Sequence, residues 1–325
     1  MVRRLMHHFV DNYASDRTIR RLVDATELWF VPVANPDGYD WTFQEGQRLW
    51  RKNLRDNNND GQITVGDGVD PNRNFPNHFK YDEEGSSSIT SSETYRGPAP
   101  VSEPETVAMK GLLDRIGFEF QVNWHSNGQW LLYAEGWQIA TPTADDPIYF
   151  ALSGNLDRPA IRDFHPGLSS DVLYVTNGET TDYAHAGTGA LAWTPELSAG
   201  CPSCGFVFPD DEALVQEEFE RNLPFALSVA KSADDPDDPE SVLGIETKPF
   251  YTKSDDPYKE GLPGANFTFK YSYGDPQPVR VLAKRSLGAV DLKYRINGGS
   301  IRTGTSSTRS YPNSAPTAST SRSKA

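Results

Sequence analysis

A helical segment that runs straight into an apolar one leaves a chain few ways to fold. In "SEPETVAMKGLLDRIG", Ser102 and Glu105 form a capping box, and Val107, Leu112, Leu113 and Ile116 repeat at helical spacing. The residues that follow, "FEFQVNWH", are an apolar run that ends at His125 and passes into Ser126, Asn127 and Gly128. Helix feeding strand in this way is the unit of an α/β sheet. "TELWFVPVANPDGYD" extends the pattern as a buried strand, Leu28 to Val33. It stops in a turn from Asn35 to Gly38, because Pro36 removes a donor and Gly38 permits a positive φ. "GALAWTPEL" reads as another short apolar strand, and "DDEALVQEEFERNLPFALSVAKSA" as a long helix with an acidic start. At the amino terminus Val2, Leu5, Met6, Phe9, Val10 and Tyr13 fall at helical spacing. Together these segments predict one α/β domain over residues 1–232.

Beyond Ser232 the composition changes. Residues 233–245 hold the acidic, proline-broken linker "DDPDDPES". Residues 246–299 alternate apolar and polar side chains between Gly and Asn turns, the pattern of a partial antiparallel β module. Residues 300–325 are Ser/Thr-rich without an apolar period, which predicts a disordered tail. Lys and Arg number 31 against 45 Asp and Glu, a net charge of -14 that argues against nucleic acid or an anionic membrane as partner. No apolar run approaches the ~18 residues needed to span a bilayer. The start, "MVRRLMHHFVDNYASD", lacks the apolar core and cleavage site of a secretory signal. Cys201 and Cys204 in "AGCPSCGF" leave open a tight-loop disulfide, half a metal site and a redox pair. The absence of a second CxxC favours the disulfide, formed in an oxidising compartment.

His125 by itself is a ligand, a base or a buried ring, and its company has to decide. "RLWRKN" offers Arg48 and Arg51, "GVDPNRNFP" offers Asn72 and Arg73, and "AWTPELS" offers Glu196 beside a proline. An arginine fork binds a carboxylate bidentately. A second arginine stabilises an oxyanion, and a half-buried glutamate acts as general base. These are the parts that hydrolysis next to a free carboxylate terminus needs. A separate stretch, "DNNNDGQITVGD", sets Asp56, Asn58, Asp60, Gln62 and Asp67 at positions one, three, five, seven and twelve, with Gly61 at six. This is the oxygen-ligand spacing of an EF-hand-like Ca2+ loop, the alternative being a polar Asn/Asp/Gly loop.

Six blocks, "PVANPDGYDWTF", "QRLWRKN", "GVDPNRNF", "ETYRGPAPVSEPET", "VNWHSN" and "TNGETTDYAHA...WTPEL", occur in an order that resembles the zinc carboxypeptidases of the carboxypeptidase A and T type, bacterial secreted branch. The resemblance covers about residues 1–232. It implies an α/β fold with a mixed, twisted eight-stranded sheet flanked by helices, the first strands missing here. The substrate it implies is a peptide or protein with a free C-terminus, and the cofactor is Zn2+. On this likeness His125 matches a zinc ligand, Glu196 the general base and Arg51 the group that polarises the scissile carbonyl. Asn72 and Arg73 match the grip on the terminal carboxylate, Arg48 a helper, and Tyr174 the tyrosine that closes over the substrate. Thr181, just before Asp182, falls where the pocket floor sets side-chain preference; it is neither acidic nor aliphatic, so a neutral or mixed preference is expected, and both residues count among those that bind the substrate. The family's His-x-x-Glu zinc motif is absent: three residues after His7 and His8 stand Val10 and Asp11. One zinc ligand is therefore present and two are expected upstream of Met1, as in a truncated form of a longer secreted enzyme that is inactive as it stands. The competing readings are a non-catalytic carboxylate-binding module on a peptidase scaffold and a relative that trims cell-wall peptides.

Overall fold

The computed structural model describes residues 1–199, 208, 211–236 and 239–242, and the backbone of six short strands beyond residue 249. The helices are α1 (Val2–Asn12), α2 (Arg17–Ala25), α3 (Pro36–Trp41), α4 (Pro104–Ile116), α5 (Asp146–Ser153), α6 (Ser169–Val172), α7 (Thr180–Asp182) and α8 (Glu212–Ser232). The strands of the main sheet are β1 (Phe120–Val122), β2 (His125–Ser126), β3 (Trp130–Tyr133), β4 (His165–Leu168) and β5 (Leu191–Leu197). The sheet is mixed. β5 is central, parallel to β1 and β2 on one side and antiparallel to β3 on the other, and β4 follows β3 in parallel.

β5 shows why the sheet needs helices on both faces. Leu191 and Trp193 point into a core built with Phe225 and Val229 of α8 and Ile148 and Leu152 of α5. Ala190 and Ala192 point the other way, into a core with Leu113 of α4, Phe75 and Tyr183. The period-2 alternation thus buries both faces of one strand, which is why it reads as an unbroken apolar run. A third cluster joins α1, α2 and α8 through Phe9, Ile19 and Leu22, with Leu28 and Phe30 against it.

Several local expectations are corrected. Residues 28–33 join no strand of the described sheet, and the chain bends at Pro32. The Asn35–Gly38 turn is the start of α3: the Asn35 side chain accepts from the Gly38 N–H, and Pro36 occupies the first helical position, where its missing donor costs nothing. α4 begins at Pro104 with Glu103 as its cap residue, so no capping box forms. Ser102 Oγ instead donates to Glu103 and accepts from Asn74. Beyond the main domain, β6 (Phe250–Tyr251), β7 (Val279–Ala283), β10 (Ser307–Arg309) and β11 (Thr317–Thr320) form one antiparallel sheet, and β8 (Asp291–Tyr294) with β9 (Arg302–Thr305) another. Strands therefore occur in the segment whose composition predicted disorder. Cys201 and Cys204 lie outside the described residues.

Candidate active site

The site gathers at the carboxyl ends of β2 and β5. Their parallel register sets His125 opposite Glu196, and His125 Nδ1 lies 4.0 Å from Glu196 Oε1. Burial lowers the imidazole to about 4, and Arg51 adds to the effect, so the ring is neutral at physiological pH. Burial also raises Glu196, to about 7, against the pull of Arg51 and Arg73. A carboxyl poised near neutrality exchanges a proton with little driving force in either direction.

Two arginines face this pair. Arg51 Nε donates to Asp70 Oδ2 at 2.8 Å, and that carboxylate holds the guanidinium charged. Asp70 is itself buried and caps the short turn Pro71–Arg73 by accepting from the Asn72 N–H. Arg73 is 2% exposed. Its Nη1 donates to the Asn72 carbonyl at 2.8 Å and lies 4.0 Å from Asp70 Oδ2, while Nε is buried without a partner. A buried cationic donor left unpaired is costly, and it is what an absent anion would satisfy. Asn72 Oδ1 accepts from both the N–H and the Oγ1 of Thr180, which ties the turn to α7.

The remaining predicted residues divide. Tyr174 is 48% exposed and close enough to Arg51 to act on its charge. Thr181 and Asp182 are buried in α7, and the Gly136 N–H donates to Asp182 Oδ1 at 2.8 Å. Burial and the neighbouring Glu179 push the Asp182 carboxyl well above the usual carboxylate range. Glu179 Oε1, Asp182 Oδ2 and Thr176 Oγ1 are buried without hydrogen-bond partners around Gly136, where a Cβ would meet Thr176 and Glu179 at 2.4 and 2.7 Å. Arg48 sits apart, its guanidinium 6.0 Å from the centre of the Phe208 ring.

The loop 56–67 is closed by its own hydrogen bonds. Asp56 accepts from the N–H groups of Asp60 and Gly61, Asn58 from that of Asp60, and Asp60 from that of Gln62. Asp67 accepts from Asn57 and Thr64. The spacing brings these residues into one loop, but no group of three or more His, Cys, Asp or Glu side chains placed to hold a metal occurs among the described residues.

Sequence reasoning missed Asp70, Glu179 and His185. His185 is gripped between Glu135 Oε1 at 3.0 Å and Asp145 Oδ2 at 2.9 Å. Burial opposes its charge, yet the two carboxylates override it and raise it to about 9. Asp70 alone carried a local signal, its place before Pro71 at a helical start.

Fold and site define an α/β protein whose polar, ionisable groups converge at the carboxyl edge of the central strands, the usual seat of a ligand in such sheets. The chain belongs to the zinc carboxypeptidase family, whose model matches residues 1–221. It is 32% identical over 207 residues to the metallocarboxypeptidase A-like protein of Trichophyton verrucosum, covering 61% of this chain and 47% of that protein. It is 32% identical over 205 residues to human carboxypeptidase A5, covering 62% and 45%. The structure is similar to that of thrombin activatable fibrinolysis inhibitor, with a TM-score of 0.57 at 25% identity over 69% of this chain and 58% of that one. It is also similar to that of carboxypeptidase A from Helicoverpa armigera, with a TM-score of 0.50 at 31% identity, over 64% of this chain and 52% of that one. The chain spans about half the length of the relatives it matches.

Proposed function

We propose that the chain carries the carboxylate grip and the general base of a secreted metallocarboxypeptidase that removes C-terminal residues from peptides. The observation that carries this reading is Arg73: a buried guanidinium whose Nε has no partner, bonded to the Asn72 carbonyl and close enough to Glu196 to act on its charge. In the proposal Arg73 and Asn72 hold the terminal carboxylate. Arg51, anchored through Nε by Asp70, turns its remaining amino groups to the carbonyl of the last peptide bond, and Tyr174 closes over the substrate. Glu196, close to half-protonated at neutral pH, accepts a proton from the attacking water and returns it to the leaving amine.

The zinc that the family implies acts as a Lewis acid and takes three protein ligands in a catalytic site. The described residues supply at most one, the neutral imidazole of His125, and so do not by themselves fit the ion. That single observation favours binding without turnover as the property of this chain in isolation.

The test is a pair of matched peptides, one with a free C-terminus and one amidated, titrated calorimetrically and assayed for cleavage. The expected result is saturable binding of the free acid only, with no cleavage when zinc is added. Equal binding of both peptides would overturn the carboxylate grip, and rapid turnover by this chain would overturn the incomplete zinc site.

A further inference from the structure

Every polar group of Asn72 but one is held by the chain around it. Its backbone N–H donates to Asp70 Oδ1 at 3.0 Å, and its carbonyl accepts from Arg73 Nη1 at 2.8 Å. Its side-chain Oδ1 accepts twice from Thr180, from the backbone N–H at 2.9 Å and from Oγ1 at 2.8 Å. A backbone N–H can only donate, so the amide atom that faces Thr180 has to be the oxygen. The remaining group, Nδ2, makes no hydrogen bond among the described residues. Because the amide is planar, Nδ2 is turned away from Thr180. It belongs to the residue before Arg73, whose Nε is likewise unpartnered.

Two donors on one oxygen do separate things. The N–H excludes the flipped amide, which would set donor against donor at Thr180 and offer an acceptor to a carboxylate. One bond alone still lets the amide plane rock about the contact. The hydroxyl takes up the second lone pair of Oδ1 and removes that freedom. Thr180 is itself held firmly enough to do this. The Phe75 N–H donates to the Gly178 carbonyl at 2.9 Å and the Gly178 N–H to the Asn77 carbonyl at 3.1 Å, so the chain before α7 is laced to the chain after Asn72. On the other side of Thr180, Asp182 Oδ1 accepts from the Gly136 N–H at 2.8 Å. Thr180 also lines the same cavity as Asn72, Arg51 and His125.

We propose that Thr180 is a positioning residue for the carboxylate grip: its amide and hydroxyl pin Asn72 Oδ1, so that Nδ2 stands ready as a donor to the terminal carboxylate of a peptide, alongside Arg73. The inference rests on the carboxypeptidase reading for the identity of that carboxylate. Thr180 does not touch the peptide. It acts through Asn72, by sparing the amide the loss of freedom that binding would otherwise demand.

The test uses the full chain, the matched free-acid and amidated peptides, and Thr180→Val, which keeps the backbone N–H and the branched side chain but not the hydroxyl. Thr180→Val is expected to bind the free acid about fivefold more weakly, the worth of one neutral hydrogen bond, and the amide unchanged. Its melting temperature should stay within about 4 °C of the wild type. Thr180→Ser, which restores the hydroxyl, should recover free-acid binding to within about twofold. In an Asn72→Ala background Thr180→Val should have no further effect, because the two residues act as one unit. A readout that needs no peptide is the side-chain 15N order parameter of Asn72, expected to fall from about 0.85 to below about 0.6 in Thr180→Val. Unchanged free-acid binding by Thr180→Val overturns the positioning role, as does a Thr180→Ser no better than Thr180→Val. A full loss that persists in the Asn72→Ala background, or an unchanged order parameter, overturns it as well. A wild type that binds both peptides alike overturns the carboxylate grip and with it the part given to Thr180, a failure told apart from the others because it shows before any substitution is made.

Discussion

His185→Gln gives the sharpest test of the electrostatics. In the native protein His185 keeps its proton to about pH 9, because Asp145 and Glu135 outweigh its burial; in the unfolded chain it loses the proton near pH 6.5. Below pH 6.5 both states are protonated and the clamp contributes its full stability. Between about 6.5 and 9 only the native state holds the proton, so stability falls as pH rises, by about 1.4 kcal/mol per pH unit and roughly 3 kcal/mol in all. With a urea m-value of about 3 kcal/mol/M, that is a midpoint shift of about 1 M. Glutamine keeps hydrogen-bonding capacity but not the charge. The assay is urea unfolding followed by tryptophan fluorescence, with buried Trp193 as reporter, at pH 6 and pH 9.5. The wild type should lose about 1 M in midpoint over that range, whereas the variant should start lower by about that amount and change little. Other titrating groups are common to both proteins and cancel in the difference. Equal dependence of the midpoint on pH in wild type and variant refutes the clamp.

Three further outcomes follow from the geometry. Arg73→Met removes a buried cation that makes one short hydrogen bond; calorimetry should show free-acid peptides bound ~10–100-fold more weakly, the worth of a charged hydrogen bond, with stability held within about 1 kcal/mol. Gly178 has φ +68, and an added Cβ would meet the carbonyl oxygens of Arg73 at 2.6 Å and Phe75 at 2.9 Å. Gly178→Ala should therefore cost about 2 kcal/mol or more and lower the melting temperature by several degrees, and an unchanged melting temperature would count against that close approach. Since the 56–67 loop is closed by its own amides, chelator should leave the melting temperature within about 1 °C, and a rise of several degrees with millimolar calcium would restore the Ca2+ reading.

What the sequence made legible was burial, and what it hid was partnership. β5 and residues 28–33 carry the same apolar signal; one lies at the centre of the sheet and the other has no neighbour among the described residues, because alternation reports which faces are dry and not what pairs with the edges. The Asn35 and Pro36 signature was clear, but the same residues open a turn or a helix, and the Asn35 bond to Gly38 decided for the helix. At the site, His125 and Glu196 were found as separate strand-end residues, and only the register of β2 on β5 makes them neighbours. Asp70 holds Arg51 from nineteen residues away, and His185 meets Asp145 and Glu135 from forty and fifty. No local pattern encodes such pairs, since they arise where the fold brings distant chain together.

The bond between Asn72 and Thr180 spans 108 residues of sequence. Loops of that length close late, after local helices and hairpins have formed. The carboxylate grip is thus assembled among the last contacts of the domain, and a chain caught partway through folding would have no means of holding a peptide's end. Capture of a free-acid peptide then doubles as a reporter of completed folding, and in a refolding experiment it should lag behind the recovery of helix.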